Sequence, residues 1–290
     1  MDEMRAVGAF IGLAIGDALG APLEGLPPGP IAVTEMSGGG IHNTLPGQYT
    51  DDTLQASALA QTLVGCGKFD PDDFSRRLVL VYRANPEFFG PTSRAVLDLI
   101  EGGVRPSAAA RMVHEARGGS RSNGSVMRGV PVGIFYPPDA AREVSLAASA
   151  VTHFDPVAGE ASAFVNRMVS GMCRGEEPVM AFRQALAACQ NAELRGLLED
   201  CRAYPLEPSL DAVLCTHCAV RVFMDAPSFR DSVVTAVNLG GDADTVGAIV
   251  GGLAGAYFGC RAIPASWLSA LQDREDLLDL ARRLTLASGP

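Results

Sequence analysis

Apolar residues recur every three to four positions along most of the chain, and this spacing predicts helices. Breaks rich in glycine, proline and small polar residues separate the predicted helices, which cover residues 3–20, 51–63, 72–84, 92–101, 106–116, 139–151, 156–174, 178–189, 192–203, 208–224, 228–237, 242–259, 265–271 and 274–286. No segment shows the alternation of apolar and polar residues that demands a strand. We therefore predict an all-α fold, a single compact multi-helix bundle in which residues 1–290 form one domain.

Two of these helices carry glycine at every fourth position. The glycines fall at 8, 12, 16 and 20 in the first helix, and at 247, 251, 255 and 259 in the helix of residues 242–259. This spacing places them on one face of each helix, where each costs about 1 kcal/mol relative to alanine. Because small residues let helix axes approach closely, we expect the two helices to be neighbours, although each row could instead pack against another helix.

Two loops stand out between the helices. The prolines exclude a helix over residues 21–30, and the loop continues to Gly47. A loop of this length inside a compact domain is unusual and is often functional, and Glu24 lies in it. The polar loop of residues 117–125 exposes backbone N–H groups that could cradle a phosphate, although taken alone its pattern favours an ordinary linker.

The composition fits a helical core and limits the partners. Hydrophobic residues make up 48% of the chain and aromatic residues only 6%, which suits closely packed helices more than a β-sandwich. The net charge of −10 argues against non-specific binding to nucleic acid or acidic lipid. The start of the chain lacks the basic residues of a signal peptide, and we expect no stretch to reach the ~20 apolar residues of a membrane span.

Seven cysteines at irregular spacing favour a reducing compartment, and we expect a cytoplasmic protein. The Cys215-x-x-Cys218 pair has no second pair of ligands elsewhere, so its pattern favours buried thiols over a zinc site.

Two acidic clusters at predicted helix starts carry the candidate chemistry. They are Thr50, Asp51 and Asp52 at one start, and Asp242, Asp244 and Thr245 at the other. A helix cap needs only one acid, whereas each cluster has two acids and a threonine behind a glycine break. Four carboxylates brought together repel strongly unless a cation neutralises them. Oxygen ligands without nearby His or Cys suit Mg²⁺, Mn²⁺ or Ca²⁺ better than Zn²⁺, and we expect both starts to converge on one such site.

Five motifs, in order along the chain, resemble the ADP-ribosylglycohydrolase family: Gly12–Glu24, Tyr49–Thr53, Ser122–Arg128, Thr152–His153 and Gly240–Thr245. The resemblance implies the all-helical fold of that family and a hydrolase that removes ADP-ribose from a modified protein side chain at the ribose C1″. The pattern looks closest to the bacterial members, which favours ADP-ribosyl-arginine. The alternatives are O-linked ADP-ribose, on serine or in a small ester, and a non-catalytic ADP-ribose-binding relative. An unrelated dinuclear phosphatase would need histidine-rich ligation, and the four histidines stand in dissimilar contexts.

The resemblance also implies roles for individual residues. Two divalent cations, Mg²⁺ or Mn²⁺, are implied to bind Thr50, Asp51, Asp52, Asp242, Asp244 and Thr245. Glu24 matches a glutamate on a mobile loop that closes over the metals, so Glu24 and Asp52 are the implied catalytic groups. The implied substrate-binding residues are Gly119, Ser120, Asn123, Gly124, Ser125 and His153, with a structural histidine whose hydrogen bonds are satisfied as the alternative for His153.

Arg121 stands where family members carry an aromatic residue, and its guanidinium face could stack on adenine instead. The implied partner is an ADP-ribosylated protein or another ADP-ribose derivative, with no nucleic acid and no membrane span. The sequence carries no signal for an oligomeric state.

Overall fold

The all-α class predicted from the sequence is confirmed. The computed structural model describes residues 1–27 and 33–289, and over these ranges it contains no β-strand, only isolated bridges between Gly39 and Thr44 and between Ser122 and Asp211. The helices are α1 Glu3–Gly20, α2 Asp51–Cys66, α3 Pro71–Ala84, α4 Pro91–Glu101, α5 Pro106–Arg117, α6 Val130–Phe135, α7 Pro138–Ser149, α8 Pro156–Cys173, α9 Pro178–Ala188, α10 Ala192–Glu199, α11 Ala212–Asp225, α12 Phe229–Val237, α13 Ala243–Phe258, α14 Ala265–Ala270 and α15 Arg274–Ala287. Short 3₁₀ turns occur at Ala21–Leu23, Asn123–Ser125 and Cys260–Ala262.

Helices α1 and α13 form the centre of the molecule and pack against each other in antiparallel orientation. A Cβ atom added at each α1 glycine would lie under 3.0 Å from backbone of the α13 segment: Gly8 against Gly255, Gly12 against Gly251, Gly16 against Gly247 and Gly20 against Asp244. The predicted pairing of the two glycine rows is therefore confirmed. Because the helices run antiparallel, the end of α1 lies beside the acidic start of α13.

Helix caps explain some of the boundaries that the hydrophobic pattern placed only approximately. Helix α11 begins at Ala212 rather than at residue 208 because the Asp211 side chain accepts hydrogen bonds from the first-turn N–H groups. Helix α10 ends at Glu199 rather than at residue 203. The sequence reading missed α6, whose Pro131 looks like a break but occupies the first turn, where proline is tolerated.

The loop predicted between α1 and α2 is largely non-helical in the described residues. Its first three residues, Ala21–Leu23, form a 3₁₀ turn, so the expectation that no helical structure follows Gly20 was wrong at this point. Pro22 lies in the first turn, where its missing N–H is not needed. Residues 28–32 of the predicted loop lie outside the described residues.

One segment is longer and more apolar than the sequence reading expected. The 21-residue segment Glu3–Leu23 is long and apolar enough to cross a membrane, with a mean hydropathy of 1.6 over an 18-residue stretch, so the expectation that no stretch reaches this length was wrong. However, 94% of this 18-residue stretch is buried inside the protein. A core helix and a membrane span share this composition because hydropathy does not record whether protein or lipid covers the apolar surface.

Candidate metal centre and active site

Both predicted acidic clusters open into one cleft. Its lining comes from both ends of the chain and from four places between them: Glu24, Asp51, Asp52, Phe88, Gly90, Pro91, Thr92, Ser93, Ser122, Asn123, Gly124, Met127, His153, Leu210, Asp242, Asp244 and Thr245. The space within the cleft, including its open mouth, is about 590 Å³. The structure thus brings the starts of α2 and α13 together, as the sequence predicted.

The closest group of acids consists of Glu24, Asp242 and Asp244. One carboxylate oxygen from each lies within 4.8 Å of the others. The carboxylates of Asp51 and Asp52 line the same cleft from the first turn of α2. The candidate centre therefore has five carboxylates, with Glu24 closer to the α13 pair than the sequence indicated.

Two of these acids have buried oxygens without a hydrogen bond. Among the described residues, neither Oε2 of Glu24 nor Oδ1 of Asp52 has a hydrogen-bond partner. Nε2 of His42 lies 3.0 Å from Oε2 of Glu24, but without the alignment of a hydrogen bond. Buried carboxylate oxygens normally have partners, so these two are free to bind a cation.

The electrostatics of the cleft also favour a cation. Burial, followed by the charges of neighbouring carboxylates, raises the pKa of Asp51, Asp52 and Asp244 well above its usual value. Burial raises the pKa of Asp242 to about 6. The donor set is all oxygen, so the residues present fit a hard divalent cation such as Mg²⁺, Mn²⁺ or Ca²⁺.

The sequence reading missed Asp17, a fully buried acid within the apolar α1. Its carboxylate accepts four hydrogen bonds, from N and Oγ1 of Thr50 at 2.9 and 2.8 Å and from N and Oγ1 of Thr53 at 2.9 and 2.6 Å. Helix α2 has no side-chain cap of its own, so Asp17 caps it from another helix. An acid inside an apolar helix must find buried partners, and that signal could have identified it.

The two threonines assigned to the metal centre differ in position. Thr245 lines the cleft beside Asp244. Thr50 is buried behind the wall, where its hydroxyl donates to Asp17 and keeps its lone pairs available. Asn123, assigned to substrate binding, donates its amide N–H to a carboxylate oxygen of Asp242 and to the carbonyl of Ser209. Asn123 thereby orients a candidate metal ligand.

The remaining substrate-binding residues divide into two groups. Gly124 and His153 line the cleft together with Asn123, whereas Gly119, Ser120 and Ser125 do not. The Ser120 hydroxyl bonds Nδ1 of His114 at 3.0 Å, and the Ser125 hydroxyl accepts from Ser149 at 2.9 Å.

Arg121 is not on the cleft wall. Its guanidinium forms ion pairs with Glu193 at 2.9 Å and with Asp211 at 2.6 Å, which raise its pKa. These two acids engage the guanidinium that the sequence offered as one possible face for adenine. The cleft has other wall residues that the sequence reading missed, among them Phe88, Thr92, Ser93, Ser122, Met127 and Leu210.

A buried arginine connects the two sides of the cleft. Arg128 is 1% exposed and donates to Oε1 of Gln55 at 2.6 Å and to Oγ1 of Thr152 at 2.7 Å. Gln55 in turn donates to Asp51 at 2.6 Å, one turn earlier on α2. Such hydrogen bonds behind a ligand fix its orientation.

We expect the cation-free protein to lose stability as the pH rises from about 4 to about 6. The pKa of Asp17 and that of Asp242 are each raised from 3.8 to about 6, so the folded state still binds protons that the unfolded state has released. The stability that each group contributes is fully present below its pKa in the unfolded chain and is lost as the pH rises through its pKa in the folded protein, a change on the order of 3 kcal/mol per group. Thermal unfolding in EDTA at pH 4.5 and pH 7 measures this effect.

Two controls accompany that measurement. Asp17→Asn removes one titrating group and should flatten the dependence on pH. Adding Mg²⁺ at pH 7 should raise Tm because the cation binds only the folded state. The raised pKa values of these acids would be contradicted if the cation-free wild-type protein became more stable between pH 4.5 and pH 7. The same holds if Asp17→Asn showed the same dependence on pH as the wild type.

Comparisons with known proteins agree on the family. The family model described as ADP-ribosylglycohydrolase matches residues 2–290. An ADP-ribosyl-[dinitrogen reductase] glycohydrolase of Rhodospirillum rubrum is 34% identical, over 92% of this chain and 90% of its own length. An ADP-ribosylarginine hydrolase of Serratia proteamaculans is 30% identical, over 97% of this chain and 78% of its own length.

The fold matches equally well. A solved structure described as an ADP-ribosylglycohydrolase-related protein complex superposes with a TM-score of 0.88 at 37% identity, covering 99% of both chains. The motifs, the buried acidic cleft and these matches lead to one conclusion: the chain belongs to the ADP-ribosylglycohydrolase family.

Proposed function

We propose that this protein is a divalent-cation-dependent hydrolase that removes ADP-ribose from a modified protein side chain by cleavage at the ribose C1″. The observation that carries the proposal is the cleft of five carboxylates, two of which keep a buried oxygen that accepts no hydrogen bond from the part of the chain that the structure describes. A non-catalytic ADP-ribose binder would have no need to retain such a costly group of acids.

Arginine is the proposed acceptor. Two relatives that cover most of this chain act on ADP-ribosyl-[dinitrogen reductase] and on ADP-ribosylarginine, by their names. We infer the same N-glycosidic linkage here, with O-linked ADP-ribose on serine or in a small ester as the alternative.

We propose Mg²⁺ or Mn²⁺ as cofactor, with two ions in the cleft. Five ionised carboxylates carry five negative charges; one divalent cation leaves three of these and two cations leave one, so two compensate the buried charge better. The proposed ligands are those expected from the sequence, Thr50, Asp51, Asp52, Asp242, Asp244 and Thr245. When bound, such cations polarise ribose oxygens and make water a better nucleophile.

The proton-transfer role is proposed for Glu24 or Asp52. Each has a carboxylate oxygen without a hydrogen-bond partner among the described residues, so either could take a proton from water or give one to the leaving guanidine. Glu24 lies on the loop after α1, and its side chain is 24% exposed at the mouth of the cleft. Its position fits a group that acts on the bond between ribose and acceptor.

A substrate panel tests the proposal. Purified protein is incubated with ADP-ribosylated arginine, in EDTA and in Mg²⁺ or Mn²⁺, and free ADP-ribose is measured. We expect release only with a divalent cation, and faster release than from serine-linked or ester-linked ADP-ribose. Release without a divalent cation would contradict the proposed metal site. Faster release from the serine or ester linkage would show that arginine is not the preferred acceptor.

The chain as a whole is proposed to act as one domain in the cytoplasm. Opposite ends of the chain build the cleft, which supports a single unit over residues 1–290. All seven cysteines are free thiols, which supports a reducing compartment.

A further inference from the structure

A chain of polar groups runs from Arg128 to the wall of the cleft. Nη2 of Arg128 lies 2.7 Å from Oγ1 of Thr152, which lies 2.9 Å from Nδ1 of His153, and Nε2 of His153 lies 3.0 Å from Oγ of Ser122. Arg128, Thr152 and His153 are buried, and both His153 and Ser122 line the cleft. The chain therefore connects the interior to the place where a ligand would bind.

The first link has a fixed direction because a guanidinium can only donate. Oγ1 of Thr152 therefore accepts from Arg128, and its own hydrogen must find another acceptor since Thr152 is fully buried. Within the described part of the chain, Nδ1 of His153 is the partner in reach of this hydroxyl besides Arg128. The hydroxyl of Thr152 thus donates to Nδ1.

The direction continues through the imidazole. Burial and the positive charge of Arg128 lower the pKa of His153 to about 3, so the ring is neutral and carries one hydrogen. Because Nδ1 accepts, that hydrogen is on Nε2, which donates to Ser122. Both ring nitrogens of His153 are then occupied within the protein.

Ser122 is the last of these polar groups, and within residues 1–27 and 33–289 its hydroxyl hydrogen has no strong acceptor. Oγ1 of Thr92 lies 3.5 Å away and already accepts from Arg117 at 3.3 Å. A contact of 3.5 Å is at the limit of a hydrogen bond. The hydrogen is therefore available to a ligand in the cleft.

We propose that Ser122 contacts the substrate by donating a hydrogen bond to an acceptor oxygen of the ADP-ribose unit, and that Arg128, Thr152 and His153 are positioning residues that fix the direction of this donor. The inference rests on the proposed function of the cleft. It replaces the direct contact between His153 and substrate expected from the sequence, because both nitrogens of that ring are already bonded.

Ser122→Ala tests the contact. With Mg²⁺ present, calorimetry should show the Kd for ADP-ribose rising about 10-fold, as for loss of one hydrogen bond to a charged or strongly polar oxygen. ADP and ribose 5-phosphate serve as further probes. A matching loss for ADP assigns the acceptor to the diphosphate, and a loss seen only with ligands that carry the distal ribose assigns it to that sugar.

The donor-to-acceptor direction of the hydrogen bonds from Arg128 to Ser122 is tested without any ligand. The ¹⁵N shifts of His153 in the wild-type protein should report the Nε2–H tautomer. Finding the Nδ1–H tautomer would overturn the proposal, even if ADP-ribose binds. Conversely, a wild-type protein with the expected tautomer but no affinity for ADP-ribose would contradict the proposed function.

A variant pair separates positioning from simple packing. Thr152→Val removes the hydroxyl and should weaken ADP-ribose binding about as much as Ser122→Ala, with no further loss in the double variant. Thr152→Ser keeps the hydroxyl and should restore both affinity and tautomer. Thr216→Val makes the same change at a buried threonine that takes no part in the hydrogen bonds from Arg128 to Ser122, and it should leave Kd unchanged. Equal Kd values for wild type and Ser122→Ala, or additive losses in the double variant, would overturn the proposal.

Discussion

Asp242→Ala is expected to abolish hydrolysis of ADP-ribosyl-arginine, with a loss of at least ~10³-fold in turnover, and to weaken Mn²⁺ binding. Asp242 belongs to the closest acid group of the cleft, and Asn123 orients its carboxylate. Its removal deletes one proposed ligand and leaves the amide of Asn123 without its carboxylate partner. Release of ADP-ribose measures turnover, and Mn²⁺ titration followed by electron paramagnetic resonance measures binding.

Asp70→Asn is the matched control for that experiment. Asp70 caps α3, where it accepts from the N–H groups of Asp72 and Asp73, and it does not line the cleft. This change should lower stability by about 1 kcal/mol or less and leave turnover intact. Full activity of Asp242→Ala would show that the assigned cleft is not the active site.

Glu24→Gln gives a contrasting result if Glu24 transfers the proton. The amide keeps the size of the side chain but cannot act as a base, so we expect a fall in kcat of about 10²-fold or more. Mn²⁺ affinity should change far less than in Asp242→Ala, because the aspartates of α2 and α13 remain. A large loss of Mn²⁺ affinity with little change in kcat would instead make Glu24 a ligand.

Gly16→Ala is expected to destabilise the fold by at least about 3 kcal/mol. The added Cβ would overlap the backbone carbonyl of Gly247 on α13, and a backbone atom cannot move aside as a flexible side chain can. Pushing α1 away from α13 also moves Asp17, which caps α2 and fixes the start of that helix. Urea unfolding measures the free-energy change, and Mn²⁺ binding should fall in parallel.

Gly196→Ala is the control for the same substitution within a helix. Gly196 lies in α10, where an added Cβ would meet no atom within 4 Å. Alanine should stabilise this position by up to about 1 kcal/mol because it loses less conformational freedom on folding. If Gly16→Ala proved as stable as wild type, the close contact between α1 and α13 would be refuted.

The local pattern predicted the helices well and the details of their ends poorly. Helical periodicity comes from which residues face the core, so it identified nearly all elements, whereas caps such as Asp211 settled boundaries that periodicity cannot resolve. Helix α6 was missed because a proline in the sequence predicts the interruption of a helix unless it is known to lie in the first turn.

By itself, the sequence determined the all-α class, the pairing of two glycine rows and the two acidic helix starts that face one cleft. These features depend on residue type and spacing, which can be observed within short segments of the sequence. Only the tertiary structure decided that Asp17 caps α2, that Glu24 joins Asp242 and Asp244, and that Ser122 ends the chain of polar groups from Arg128. Those partners come from distant parts of the chain, and a hydrogen bond or a shared charge depends on where their atoms meet in space, which no local pattern specifies.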